Sequence, residues 1–73
     1  MSRADSAVDR ITVSLTPKAA ASLTSLQDRT GLSKTDLVNR AIALYEFAEA
    51  QFAAGREILV RDPDGTVQVV RLL

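Results

Sequence analysis

Few side chains in this 73-residue chain are equipped for chemistry. There is no cysteine and no histidine, which removes disulfides, thiol nucleophiles and most transition-metal sites. No glycine-rich phosphate loop occurs, and no spacing pairs two carboxylates in an apolar pocket; the acids fall on predicted helix surfaces and turns. Neither an enzyme nor a cofactor is expected. Hydrogen bonding and charge remain, and they concentrate in two places. The first is Arg10-Ile11-Thr12-Val13-Ser14-Leu15, where Arg10, Thr12 and Ser14 alternate with apolar residues. A guanidinium brings five N–H donors, and each hydroxyl both donates and accepts. An ordinary edge strand solvates the same three residues, so the pattern alone does not separate recognition from solvation. The second is Ser33-Lys34-Thr35, at a predicted helix start. Free backbone N–H groups there favour an anion, and Lys34 adds a point charge. A capped helix end with a solvated lysine has the same composition.

The elements that position these residues follow from local rules. Met1 to about Asp9 is polar and aperiodic, and reads as a mobile tail. In residues 10–15 the alternation puts Ile11, Val13 and Leu15 on one face, the pattern of a strand with one buried side. Thr16 then suits a helix N-cap and Pro17 the first helical position. Along this helix Ala19, Ala20, Leu23, Leu26 and Thr30 share a side opposite Lys18, Ser22, Ser25, Asp28 and Arg29. Gly31 suits the left-handed residue that ends it, with Leu32 able to pack back. Ser33-x-x-Asp36 resembles a capping box opening a second helix of roughly 21 residues, or ~30 Å. One side of that helix carries Leu37, Val38, Ala41, Ile42, Tyr45, Ala48 and Phe52; another carries Ala43, Phe47, Ala50 and Ala54. A helix apolar on two sides is expected to be buried on both. After Gly55, Ile58-Leu59-Val60 and Thr66 to Leu72 flank Asp62-Pro63-Asp64-Gly65, which reads as a C-terminal β-hairpin. The division is a tail over 1–9, a main unit over 10–55 and an extension over 56–73.

A chain this short buries little of its own surface, and without disulfide or metal the remedy left is oligomerisation. Nine basic residues balance nine acidic ones, but unevenly: six against four through residue 40, three against five beyond it. The first half is the better candidate for a polyanion surface. No apolar run approaches the ~20 residues of a membrane span, and MSRADSAVDR has no apolar core of a signal peptide. A cytoplasmic protein without membrane contact is expected. The single strand over 10–15 poses one further requirement. Its backbone groups need partners, supplied by the C-terminal hairpin or by the same strand of a second molecule.

The stretch Arg10 to Ile42, RITVSLTPKAAASLTSLQDRTGLSKTDLVNRAI, resembles the ribbon-helix-helix (CopG/MetJ/Arc-like) DNA-binding family. Two blocks carry the resemblance: an R-φ-T-φ-[ST]-L strand followed by Thr at the helix start, and the turn Gly31-Leu32-Ser33-Lys34-Thr35, with Leu15 and Gly31 sixteen positions apart. It implies an α+β, mainly helical, intertwined homodimer whose two strands pair antiparallel into an intermolecular ribbon in the major groove. Arg10, Thr12 and Ser14 would then read base edges: arginine donates twice to guanine, hydroxyls serve either role, and the threonine methyl can touch thymine. Ser33, Lys34 and Thr35 would clamp a phosphate, with Lys18 and Arg3 as further candidates. Ile11, Val13, Leu15, Leu23, Leu26, Leu37, Val38, Ala41, Ile42 and Tyr45 would form the dimer core. The partner would be double-stranded DNA carrying an inverted repeat, with several dimers in tandem as a further arrangement on nucleoid DNA.

Some residues stay outside that pattern. Arg40 more often closes an ion pair than touches DNA. Tyr45 and Phe52 belong to the core face, and Phe47 is expected to pack under the hairpin or across the dimer, because an exposed phenylalanine among alanines is adhesive. The hairpin reads as a buttress over that side of the second helix or as a docking surface, for neighbouring dimers on adjacent sites or for a toxin partner. Three functions stay open: a site-specific transcriptional regulator, in the first place a repressor; an antitoxin or plasmid-maintenance component using the same module; and an oligomerisation module with the hairpin folded onto the first strand and no DNA role.

Overall fold

The computed structural model describes residues 8–71. The expectations for Arg3, for most of the 1–9 tail and for Leu72 lie outside the described residues.

Helix α1 spans Pro17–Thr30. Thr16 stays extended and its hydroxyl accepts from the Ala19 N–H at 3.1 Å, while Pro17 takes a first-turn position where its missing N–H leaves nothing unpaired. Gly31 ends the helix at φ 73°, its N–H donating to the Gln27 carbonyl at 2.9 Å. An L side chain would strain that left-handed position. Thr30, grouped by its spacing with the apolar residues, is exposed; its hydroxyl donates to the Leu26 carbonyl at 2.7 Å and accepts from the Leu32 N–H at 3.2 Å.

Helix α2 spans Lys34–Ala53, with Ser33 as N-cap accepting from the Asp36 N–H at 3.1 Å. At its far end the Gly55 N–H reaches the Phe52 carbonyl and the Arg56 N–H reaches the Gln51 carbonyl, each at 3.0 Å, the paired closure of a Schellman motif. The Arg56 guanidinium also donates to Gln51 Oε1 at 3.3 Å. The direction in which the chain leaves α2 is therefore held by three bonds.

Two short strands follow, β1 (Leu59–Arg61) and β2 (Val67–Val69), paired antiparallel with Leu59 opposite Val69, Val60 opposite Gln68 and Arg61 opposite Val67. Pro63 and Asp64 form the corners of the turn, closed by the Gly65 N–H on the Asp62 carbonyl at 2.9 Å, and Gly65 sits at φ 94°. This is a turn followed by one left-handed residue, which matches the twist of the flanking strands. Asp64 Oδ1 accepts from the Thr66 N–H at 2.9 Å, and the Thr66 amide and hydroxyl hold this carboxyl below its ordinary value.

Three expectations are corrected. Residues 10–15 form no strand within the chain, and the sheet contains β1 and β2 alone among the described residues. The reading in which the C-terminal segment folds onto residues 10–15 thus does not hold. The sheet does not buttress the second helix either: no strand Cα comes within 8 Å of a helix Cα, and Phe47 remains 57% exposed. The bonds at Gly55 and Arg56 hold the chain's exit from α2, and along that path β1 and β2 stay clear of the Phe47 side. Finally, within a single chain α2 is not buried on two sides. Leu37 and Ala48 are the buried residues among those described, with Leu23, Leu32, Val38 and Phe52 half-buried around them. Ala43, Ala50 and Ala54 are exposed. One chain thus supplies two well-capped helices and too little core to hold them, since ΔG depends on apolar area removed from water. Among the described residues no helix is long and apolar enough to cross a membrane.

Candidate nucleic-acid interface

The segment before α1 leaves the helices gradually. Leu15 is 48% exposed, Val13 58% and Ile11 64%. Side chains that the alternation marks as one face are thus only partly covered, and the cover falls away toward the N-terminus. Arg10, Thr12 and Ser14, at the alternate positions, are all exposed. The three apolar residues lack a covering surface, and the backbone between them lacks a ladder. Both deficits are of the kind that a second strand removes.

Val13 and Leu15 form a wall between two open apolar grooves. One groove, of about 680 Å³, runs between the helices past Ala19, Leu23, Leu26, Leu37 and Ala41, with Lys18 and Lys34 on its lining and no acidic residue there. The other, of about 610 Å³, runs along α2 past Val38, Ile42 and Tyr45 to Ala50 and Ala53; its charged residues are Glu46 and Glu49. The structure therefore brings together most of the residues expected to form an apolar core between copies. Val13, Leu15, Leu23, Leu26, Leu37, Val38 and Ala41 line the first groove, and Ile42 and Tyr45 line the second. Of these Leu37 is buried, Leu23 and Val38 are half-buried, and the others are exposed. Ile11 lines neither groove.

The candidate anion contacts also converge. Lys18 stands in the first turn of α1 and Lys34 in the first turn of α2, and both border the same groove although sixteen positions separate them. Beside Lys34, the Ser33 hydroxyl is spent on the Asp36 N–H, while the N–H groups of Ser33, Lys34 and Thr35 have no acceptor among the described residues. Each helix start carries partial positive charge, so two dipole ends and two ammonium groups reinforce one another. Asn39 donates to the Thr35 carbonyl at 2.8 Å, which steadies this first turn. Arg40 is exposed and lines neither groove. Sequence reasoning singled out neither Glu46 nor Glu49. Their three-residue spacing beside Ile42 and Tyr45 was the available signal, since it sets both on one edge of an apolar helix face.

In comparisons with known proteins, the family described as "Ribbon-helix-helix protein, copG family" matches residues 9–46, more than half of the chain. No curated protein and no solved structure matches. The matched span takes in the wall, both helix starts and most of the two grooves. Members of this family are in general DNA-binding regulators or antitoxins, act as dimers and are not enzymes. With its capped helix pair, its Gly31–Thr35 turn and its match over residues 9–46, the chain belongs to the copG family of ribbon-helix-helix proteins.

Proposed function

We propose that the protein is a sequence-specific transcriptional regulator, a repressor, whose homodimer reads the major groove of double-stranded DNA in the cytoplasm. Residues 10–15 of two copies pair antiparallel, which supplies the missing ladder and turns Ile11, Val13 and Leu15 onto the grooves of both copies. Arg10, Thr12 and Ser14 then face the bases, and Ser33, Lys34, Thr35 and Lys18 hold phosphates on either side. Residues 10–55 form the dimerisation and DNA-binding unit. Recognition is by hydrogen bonds on base edges, with phosphate contacts fixing register. A two-fold dimer matches an inverted repeat.

One observation supports this reading above the rest. Lys18 and Lys34, from the starts of two different helices, border one acid-free groove beside the segment that exposes Arg10, Thr12 and Ser14. An edge strand that is merely solvated has no reason to lie beside such a cationic rim.

The test is Thr12→Glu. A carboxylate facing phosphates and base acceptors is expected to abolish DNA binding while sedimentation still shows the dimer. Unfolding or dissociation of that variant would place Thr12 inside and overturn the proposal. Selection of bound sequences from random DNA with the purified protein is expected to return an inverted repeat.

A further inference from the structure

The C-terminal sheet is incomplete by itself. Two strands of three residues do not form an independently stable unit in water and need a covering surface. Directly opposed residues share a face, so Leu59, Val69, Arg61 and Val67 stand together, and Arg71 continues the alternation from Val69. The three apolar residues of that face are exposed. The opposite face carries Ile58 and Val70, which are half-buried, with Val60 and Gln68 exposed beside them. The sheet's own helix does not supply the cover, because the bonds at Gly55 and Arg56 lead β1 away from α2.

The same chain carries an open apolar surface whose charged residues are acidic. From Val38 to Ala53 the second groove follows α2 for about 22 Å at 1.5 Å per residue. Its near end is walled by Val13 and Leu15, and its far end is lined by Glu46, Glu49, Ala50 and Ala53. The alanines leave room for a sheet to lie close against the helix. The charges on the groove are both acidic, whereas the sheet face carries Arg61 and Arg71 against one acid, Glu57, which the same alternation sets opposite Arg71.

We propose that in the dimer the Leu59–Val67–Val69 face of each sheet covers the far end of this groove on the partner copy, with Arg61 and Arg71 meeting Glu46 and Glu49. The contact is reciprocal, so two-fold symmetry makes it twice per dimer. It rests on the dimer of the functional reading but not on DNA recognition. It assigns the residues after α2 a part in fixing which chains can pair, since a copy lacking either charge set pairs poorly.

The experiment measures the dimer Kd of the full-length protein by sedimentation equilibrium in the absence of DNA. Arg61→Glu and Glu49→Arg are each expected to weaken the dimer about tenfold, because each substitution enters twice and replaces attraction by repulsion. The chain carrying both is expected to return to within about twofold of the parent. Helix content by circular dichroism accompanies each measurement, so that a misfolded single variant is recognised and the doubly exchanged chain decides. Single variants without effect, or a double exchange no better than the product of its parts, overturn the contact and leave the dimer standing. A shift confined to association between dimers overturns its placement within the dimer. A parent chain monomeric at every concentration removes contact and functional reading together.

Discussion

The two grooves on either side of the Val13–Leu15 wall share four lining residues yet differ in charge. The one between the helices carries Lys18 and Lys34 and no acid; the one along α2 carries Glu46 and Glu49 and no base. Shared apolar residues give both grooves the same need for cover, at a cost on the order of 1 kcal/mol for each half-exposed aliphatic side chain left in water. Their charges give them different neighbours. The lysines sit at helix starts, where the backbone itself is positive. The glutamates sit in the second half of α2, ahead of its last turn, where the helix supplies no positive charge of its own. In the proposed dimer, apolar cover drives assembly and the charges sort what lies beside each groove: a polyanion at the first, a basic segment at the second.

Removing the shared wall has the largest expected effect. Val13→Asp puts a carboxylate on both grooves at once, and burying it without a partner costs several kcal/mol in each copy. The dimer Kd is expected to rise at least about 1000-fold, roughly 4 kcal/mol. Helix content by circular dichroism falls with it, because a single chain buries little more than Leu37 and Ala48. Sedimentation showing an intact, fully helical dimer of this variant would mean that neither groove is covered by the second copy.

A smaller effect separates the grooves by charge. Lys18→Ala or Lys34→Ala removes one phosphate contact per copy, so the slope of log affinity against log salt should become shallower by about 2 for a dimer, with roughly tenfold weaker binding at low salt. Glu46→Gln and Glu49→Gln are expected to leave that slope unchanged. Equal slopes for the lysine and glutamine variants would show that DNA does not distinguish the two sides of the wall.

Ser33 sharpens the same distinction at lower energy. Ser33→Ala removes the oxygen that accepts from the Asp36 N–H, a loss of about 1 kcal/mol and a fall of roughly 4–8 °C in Tm. The backbone N–H groups of residues 33–35 survive the substitution, so the salt slope is expected to stay that of the parent. That cap was legible in the sequence, as were Thr16, Pro17, Gly31 and the Pro63–Gly65 turn, because each obeys a rule spanning no more than four residues. The convergence of Lys18 with Lys34 was half legible: each stood at a predicted helix start, but only the helix crossing sets them on one groove. The placing of Phe47 under the hairpin was misread because its surroundings depend on where the chain goes after Gly55, and the bonds fixing that exit join Gly55 and Arg56 to Phe52 and Gln51 through their backbones. The partner of residues 10–15 was legible from the residues only as two alternatives, between which the family resemblance chose. A ladder is a property of two strands, and a sequence describes one.

The smallest predicted effect lies away from both grooves, and for that reason tests their independence. Asp64 is fully exposed, and the hydrogen bonds from the Thr66 amide and hydroxyl favour its charged form, holding its pKa below the ordinary 3.8. A carboxyl whose pKa is depressed on folding stabilises the folded turn in full above its unfolded value; that contribution disappears as pH falls through the lower, folded value. The turn is therefore expected to be at its firmest at neutral pH and to loosen only below about pH 4. Amide hydrogen exchange at Thr66 and Gly65 measures this directly, and Asp64→Asn is expected to remove the acid-dependent part of their protection. The wall and the lysine rim share no hydrogen bond with this turn, so the amides of Val13 and Lys34 should not follow the Asp64 titration. If they do, the sheet and the grooves communicate, and the reciprocal contact between copies is the route by which they would.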